Sequence, residues 1–484
     1  MNKKIYITTP IFYTNGNPHL GHIHTSLLGD FFSKAFKNFH YEVFFLTGTD
    51  EHGQKISNTA GKLNISPQEL VNETSQKFKD LFKDFNIDYN RFIRTTDKDH
   101  IQNIIDVWNK LLENNYLYKD VYKGLYSEKD ECFYSIEETY LDKDERKAII
   151  SNNEVVEIEE ECYFFRLSNF KEKLLDFYKN HEFTIPSNLK EELIKYTENL
   201  KDLCVSRNIS WGIKIPNSNQ TIYVWIDALF NYITAIGGLE NYNRDLWENS
   251  LQIIGKDIII FHGVYWPALL MAVGMKPPKN LFIHGWWLFD NKKMSKSSGN
   301  TIDPTKMKNK EYLRYFCLRQ ELLGHDGDFN KDHFINVINN ELIGKILNLF
   351  YRFFSLVKQN YGFNTIIQIE NYQNREDLIL IKGACLGVLE KFSSKNYINE
   401  LIYISNTANE YIDKNKIWKD FSLKHINYLL PLLDLLSGLL KGVLHETYFK
   451  IKNLYSLKES NNQQEFTLLK LESLFEKINI NEEI

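Results

Sequence analysis

An apolar strand that runs through a proline- and glycine-bearing loop into a helix leaves a chain few folds to choose from. Residues 4 to 38, "KIYITTPIFYTNGNPHLGHIHTSLLGDFFSKAFKN", read in that way. Lys4 to Thr8 has the pattern of a buried strand, and Gly21 to Asn38 has the apolar spacing of a helix with aromatics on its inner face. Strand, glycine loop and helix together make a nucleotide-binding arrangement. Further apolar runs, "YEVFFLTGTD", "LQIIG", "DIIIF" and "NLFIHG", alternate with helical stretches and are read as more strands. Such alternation implies a parallel sheet whose ligands sit at the carboxyl ends of its strands.

The chain has 484 residues, too many for one core, and a prior of about 150 residues per domain suggests roughly three folding units. With 43% hydrophobic and 25% charged residues its composition is globular. Net charge is −5, so no overall basic field marks a nonspecific nucleic-acid binder, and a nucleic-acid partner would be held locally. Five cysteines, at 132, 162, 204, 317 and 385, form no C-x-x-C pair, which argues against a disulfide framework and points to a reducing compartment. The start "MNKKIYITTP" shows no targeting pattern, and the most apolar stretch, "DIIIFHGVYWPALLMAVGM", carries an Asp and a His. A cytoplasmic protein with no membrane partner is expected.

Between 116 and 205 the texture turns acidic and irregular, as short strands and turns of an insertion would. Residues 1–115 and 206–290 then form the two halves of a Rossmann-type sheet domain, and 291–340 a lysine loop with a stem-contact region. From 341 to 484 no strand pattern stands out, whereas "NYLLPLLDLLSGLLKGVLHETY" has helical periodicity, so this part is read as an all-α bundle. The expected fold class is α/β: a parallel-sheet catalytic domain with an insertion, followed by helices.

Two clusters carry chemistry. If His19 and His22 of "HLGH" sit where the loop enters the helix, both rings and the free N–H groups of the first turn face one point, suited to a phosphate gaining charge. Gly21 between them would let a planar base approach the backbone. The second cluster, "NKKMSKSSGN" at 291 to 300, gathers Lys292, Lys293 and Lys296 among small polar residues, and the preceding "NLFIHGWWLF" aims it at the same sheet edge. Histidines and lysines around one point would clamp a triphosphate attacked at its α-phosphorus.

"HLGH" followed by "KMSKS" is the paired signature of class I aminoacyl-tRNA synthetases. The stretches "TTPIFYTNGNPHLGH", "TGTDEHGQK", "SRNISWGI", "YVWIDALFNYIT", "GKDIIIFHGVYWPALL", "HGWW" and "DGDF" resemble the methionyl-tRNA synthetase family over essentially the whole chain. The resemblance implies a methionine pocket formed by Ile11, Tyr13, Trp225, Ala228, Leu229, Tyr232, Ile258, His262 and Trp266, with Asp50 on the substrate ammonium. An apolar, polarisable slot edged by aromatics suits a thioether. It also implies ATP, carried with Mg2+, held by His19, Gly21, His22, Gly255, Asp257, Lys293 and Lys296, with Arg207 near the catalytic centre. An ion pair at Arg207 would look identical in sequence, and Asp257 could otherwise be a helix cap.

In the helical part, Asn348 and Arg352 stand four apart on one face and Trp418 follows "NEYIDKNKI", matching the family's residues for a CAU anticodon of tRNA(Met). Amide, guanidinium and indole suit base edges and base stacking. The family's proline before this tryptophan is Ile417 here. Relatives often carry cysteine knuckles for zinc in the insertion, but Ser127 and Asp130 stand where the first pair would be, and Cys132 alone cannot supply four ligands. No structural zinc is expected. The chain stops after the bundle, so a monomer is expected.

Synthetases for Ile, Val or Leu carry a large editing insertion, needed because one methylene discriminates by only ~1–3 kcal/mol. Some ninety residues are too few for that. A cysteinyl enzyme would be expected to use zinc. A non-tRNA adenylyl transferase would have no need of Asn348, Arg352 and Trp418, and a catalytically dead paralogue is disfavoured by the two intact signatures.

Overall fold

The computed structural model describes residues 3–130, 132–289, 292–293, 302–460 and 463–478. Its central sheet has seven strands, all pairings parallel. The order is Thr184–Ile185, Asn280–His284, Ser250–Gly255, Lys4–Thr8, Glu42–Asp50 and Phe12–Tyr13, with Arg91–Arg94 also paired to Glu42–Asp50. Ser250–Gly255 is buried at every residue, as expected of a strand covered on both faces.

Helix Leu20–Asn38 covers one face, where Leu27, Phe31 and Phe282 join a core that continues into the carboxyl-terminal helices through Tyr397 and Leu436. The opposite face holds Tyr6, Leu46, Ile254, Trp108 and Trp266 in a second core. From Lys4–Thr8 the chain first builds outward to Glu42–Asp50 and later returns to the other side as Ser250–Gly255. That reversal opens a crevice at the carboxyl ends of these strands.

Three expectations are corrected. "DIIIF" is not a strand: Gly255 ends the strand Ser250–Gly255, and residues 256 to 272 form a continuous helical segment, a 3-10 turn leading through a π-helical stretch into Trp266–Ala272. Its β-branched run misled because residues four apart, not two apart, share the buried side.

The insertion is also smaller than 116–205. Leu117–Ser127, Cys132–Tyr134, Val156–Phe165 and Leu203–Cys204 form its antiparallel sheet. Between them, helices Lys171–Asn180 and Lys190–Glu198 place Leu174, Tyr178 and Leu193 in the catalytic core, and Thr184–Ile185 is an edge strand of the main sheet. The acidic texture comes from the exposed positions of the insertion's own strands and turns, such as Glu157, Glu159 and Glu161 of Val156–Phe165, whereas acids and lysines nearly balance in these two helices.

Finally, the carboxyl-terminal region is not all helical. Beside helices Asn348–Tyr361, Glu376–Leu389, Ser394–Asn415, Leu423–Leu440 and His445–Lys452 lies an antiparallel sheet of Ile366–Glu370, Gln463–Leu468 and Tyr455–Ser460. Ile366–Glu370 alternates exposed and buried residues, burying Ile367 and Ile369, but five residues are too few for the pattern to stand out in the sequence.

A buried charge cluster ties the two parts together. Arg314 Nη2 lies 2.5 Å from Asp30 Oδ2, and Lys34 Nζ lies 2.9 Å from the same oxygen. Arg314 also donates to the carbonyls of Val443 at 2.8 Å and Gly442 at 3.0 Å. Burial pulls the Lys34 ammonium below its ordinary pKa while Asp30 opposes that shift. Asp30 and Lys34 belong to the helix that begins at the histidine motif, so the bundle grips that helix directly. Among the described residues no helix is long and apolar enough to cross a membrane.

Candidate active site

The crevice at the sheet's reversal is a cleft of about 800 Å³. One wall is the start of helix Leu20–Asn38. His19 is its N-cap: the Gly21 N–H donates to His19 Nδ1 at 3.1 Å, and the His19 N–H donates to His22 Nδ1 at 3.2 Å. The two rings stack with centroids 3.7 Å apart. This reciprocal cap answers why imidazoles stand three apart, since each satisfies a backbone donor that the first turn would leave orphaned.

A nitrogen that accepts an N–H carries no proton, so in the neutral ring Nε2 carries it. Each histidine thus gives the backbone an acceptor with Nδ1 and carries its proton on the opposite nitrogen. The expectation that the first-turn N–H groups are free is corrected for His19 and Gly21, whose N–H groups are engaged by the imidazoles.

The second wall is apolar. Ile11, Tyr13, Asp50, Trp225, Ala228, Leu229, Tyr232, Ile258 and His262 all line the cleft, together with Pro10 and Phe12. Trp225 lies flat on Phe261 with centroids 3.5 Å apart. His262 Nδ1 is 3.1 Å from the Ile258 carbonyl, which can only accept, so Nε2 accepts from the Tyr232 hydroxyl at 2.8 Å. Desolvation lowers the His262 pKa to about 4, so the ring is neutral near pH 7. The Tyr232 hydroxyl is thereby committed, and the slot it borders keeps an apolar character.

Trp266 does not line the cleft. It is fully buried, edge-on to Phe230 at 4.9 Å, and its Nε1 donates to Gln252. It forms a layer behind Tyr232 because its helical register points it at the sheet. Arg207 is likewise outside the lining: its Nη1 sits 3.2 Å from Glu160 Oε2, and its guanidinium covers the Tyr126 ring at 3.8 Å. This is the ion pair that its sequence left open.

The third wall comes from His284 to Trp287 and the turn at 255 to 257. Gly255 and Asp257 line it, and Asp257 Oδ1 accepts from Trp286 Nε1 at 3.2 Å. A Cβ at Gly255 would come within 2.6 Å of Asp257 Oδ1 and would turn that carboxylate aside from Trp286. His284 Nδ1 donates to the Gly285 carbonyl at 2.8 Å, so its Nε2 accepts from Thr25 on the histidine helix, also at 2.8 Å. Burial holds the His284 pKa below the ordinary value.

From this wall the chain continues as Trp287–Phe289, which pairs antiparallel with Lys292–Lys293 and parallel with Gly327–Asp328. The backbone of Lys293 is thus joined to the rim of the cleft, while Lys296 lies outside the described residues.

Asn15, Lys55, Lys129, Asp130, His284, Gly285, Trp286 and Trp287 also line the cleft and were not singled out. Lys55 and His284 to Trp287 lie inside "TGTDEHGQK" and "HGWW", so their motifs were visible although their roles were not. Asp130, at the insertion's tip, accepts from Tyr134, Ser151 and Asn153, so its carboxylate is engaged by neutral donors. Among the described residues no three His, Cys, Asp or Glu side chains gather as metal ligands.

In the bundle, Arg352 donates from Nη1 to Asn409 Oδ1 and from Nη2 to Asp413 Oδ1, both at 2.9 Å. Asn348 begins the same helix, one turn earlier. Ile417 is buried and Trp418 is 52% exposed, so the loop after helix Ser394–Asn415 anchors the aliphatic side chain and presents the indole outward.

A family model described as tRNA synthetases class I (M) matches residues 5–144 and 139–354. The methionine–tRNA ligase of Rickettsia bellii is 41% identical over 457 residues, 90% of this chain and 89% of that one. That of Listeria monocytogenes is 38% identical over 442 residues, 85% of this chain and 66% of that one. The solved Mycobacterium tuberculosis methionyl-tRNA synthetase in complex with methionyl-adenylate superposes with a TM-score of 0.86 at 31% identity, covering 93% of this chain and 94% of that one. A likeness that runs through sheet, insertion and bundle places the chain in the class I tRNA synthetase family of the methionyl type.

Proposed function

We propose that the three walls of the cleft divide the work of a methionine–tRNA ligase among them. The chain activates methionine with ATP to methionyl-adenylate and charges tRNA. The apolar wall of Ile11, Tyr13, Trp225, Ala228, Leu229, Tyr232, Ile258 and His262 would take the thioether, and Asp50 the ammonium. The third wall, with Gly255 and Asp257, would hold the nucleoside, and Gly21 would let the base lie against the backbone. His19 and His22 would donate from Nε2 to the phosphate chain.

Methionine's carboxylate oxygen attacks the α-phosphorus of ATP, which enters with its Mg2+ as substrate, and the bond to the bridging oxygen breaks to release pyrophosphate. The terminal ribose hydroxyl of tRNA(Met) then attacks the carbonyl carbon and displaces AMP. No protein nucleophile is required. Rate comes from positioning and from donors aimed at the charge that develops on the phosphates. Lys293 and Lys296 would supply the remaining positive charge from the segment that leaves the rim.

At the far end Asn348, Arg352 and Trp418 would read the CAU anticodon, with Arg352 exchanging its bonds to Asn409 and Asp413 for base edges. A monomeric chain working in the cytoplasm fits this reading.

The reciprocal histidine cap carries the proposal, because it fixes two imidazoles on the wall of a cleft whose floor is apolar. The test is ATP–pyrophosphate exchange across an amino-acid panel, followed by charging of a CAU-anticodon tRNA. Exchange that depends on methionine alone, then charging, is expected. Exchange driven equally by leucine or isoleucine would refute the assignment of the apolar wall.

A further inference from the structure

Behind the apolar wall lies a buried polar cluster that does not touch the cleft. Asp227 is 1% exposed. Its Oδ2 is 2.7 Å from His52 Nδ1 and its Oδ1 is 2.8 Å from His100 Nε2. His100 Nδ1 is 2.9 Å from the Thr234 hydroxyl, which also accepts from Asn103 Nδ2 at 2.8 Å. Asn103 in turn accepts the Leu239 N–H at 2.7 Å.

A carboxylate removed from water is costly unless paired and hydrogen-bonded. Burial alone would push the Asp227 pKa up, yet the two imidazoles hold it below the ordinary value, so the group is ionised and each ring offers it an N–H.

The placement of the arms is informative. His52 is two residues beyond Asp50, proposed for the ammonium. Asp227 sits between Trp225 and Ala228 in the short helix Val224–Leu229, and Thr234 is two residues beyond Tyr232. Three segments that face methionine on the proposed reading are therefore joined from behind through one carboxylate. A six-residue helix has too few internal bonds to fix its own orientation, so outside contacts must do so.

We infer that Asp227, with His52 and His100, is a positioning hub that sets the distance between the ammonium wall and the thioether wall, and so tunes selectivity for methionine over other unbranched side chains. The hub touches no reacting atom. Its loss acts on amino-acid binding and leaves the phosphate side intact.

This inference rests on the cleft being the methionine site, which exchange by the unaltered full-length protein tests separately. For the hub, methionine KM, ATP KM and kcat are measured by exchange in Asp227→Ala, His52→Leu, His52→Asn, His100→Leu and His100→Gln, with norleucine as competing substrate. Asparagine places a donor where His52 Nδ1 stands, and glutamine one where His100 Nε2 stands.

The Ala and Leu variants are expected to raise methionine KM at least about tenfold and to narrow the preference over norleucine, with ATP KM and kcat changed less than about threefold. His52→Asn and His100→Gln are expected to recover most of that loss. Should Asp227→Ala not fold, the Leu and Asn variants of His52, whose ring is nearest to solvent, decide alone. Unchanged methionine KM in the Leu variants, equal damage from Leu and from Asn or Gln, or a loss confined to kcat would each overturn the hub.

Discussion

The cleft and the bundle gather their proposed functional residues in opposite ways. In the cleft, residues from 10 to 287 meet because a parallel sheet changes direction there and every strand ends on the same side. At the bundle, Asn348 and Arg352 lie one turn apart on one helix, and the two partners of Arg352, Asn409 and Asp413, likewise lie one turn apart on another. A sheet edge collects distant sequence. A helix pair displays what is already local, so a substitution in the bundle should disturb less chemistry than one in the cleft.

The largest expected effect joins the two regions. Asp30→Ala leaves Arg314 buried without its carboxylate and Lys34 with Asp88 alone at 3.3 Å, and breaking such a cluster costs about 3–5 kcal/mol. Urea unfolding should show that loss. A change under about 1 kcal/mol would mean that the bundle's grip on the histidine helix does not depend on this cluster.

Next comes the phosphate side. Lys296→Ala should slow adenylate formation by about 10²–10³-fold, the usual cost of losing one donor to developing charge, with methionine affinity nearly unchanged. Stopped-flow measurement of adenylate formation separates the two. Weakened methionine binding with normal activation would break the division between walls.

At the bundle, Trp418→Ala should lower tRNA charging by the about 1–3 kcal/mol that one base stack contributes, and leave exchange untouched. If exchange fell in parallel, the two regions would be less separable than their construction suggests.

The smallest effect is a matter of pH. With the His262 pKa depressed to about 4 from 6.5, the unfolded chain binds more protons between those values, so stability falls as pH drops through that window. Between pH 7 and 5.5 this amounts to about 1 kcal/mol. His262→Gln should lack that part of the slope in thermal unfolding.

Much of the cleft was legible because its motifs carry residue types that folding alone would not put together. The cap histidines stand out by their spacing, and Asp50, Trp225 and His262 through the resemblance of their motifs to those of the methionyl family. What stayed hidden depends on which way a side chain turns. Trp266 shares a helical face with His262 in sequence, but the sheet claims its ring. Arg207 finds Glu160, far away along the chain.

The carboxyl-terminal sheet was hidden for a different reason. Its strand Gln463–Leu468, "QQEFTL", buries Phe466 and Leu468 but is two-thirds polar, and it pairs with a strand almost a hundred residues earlier. Asp227 and His52 were visible as polar residues within "WIDAL" and "TDEHG". Nothing in the letters says that they meet.

The cap that two imidazoles make at the head of the first helix has a wider bearing. An imidazole has a nitrogen on each of two edges, so one can serve the polypeptide while the other is offered, on the proposed reading, to a guest molecule. On that reading, replacing either ring loosens the scaffold and disarms the chemistry in a single stroke, so damage to one is expected in company with damage to the other.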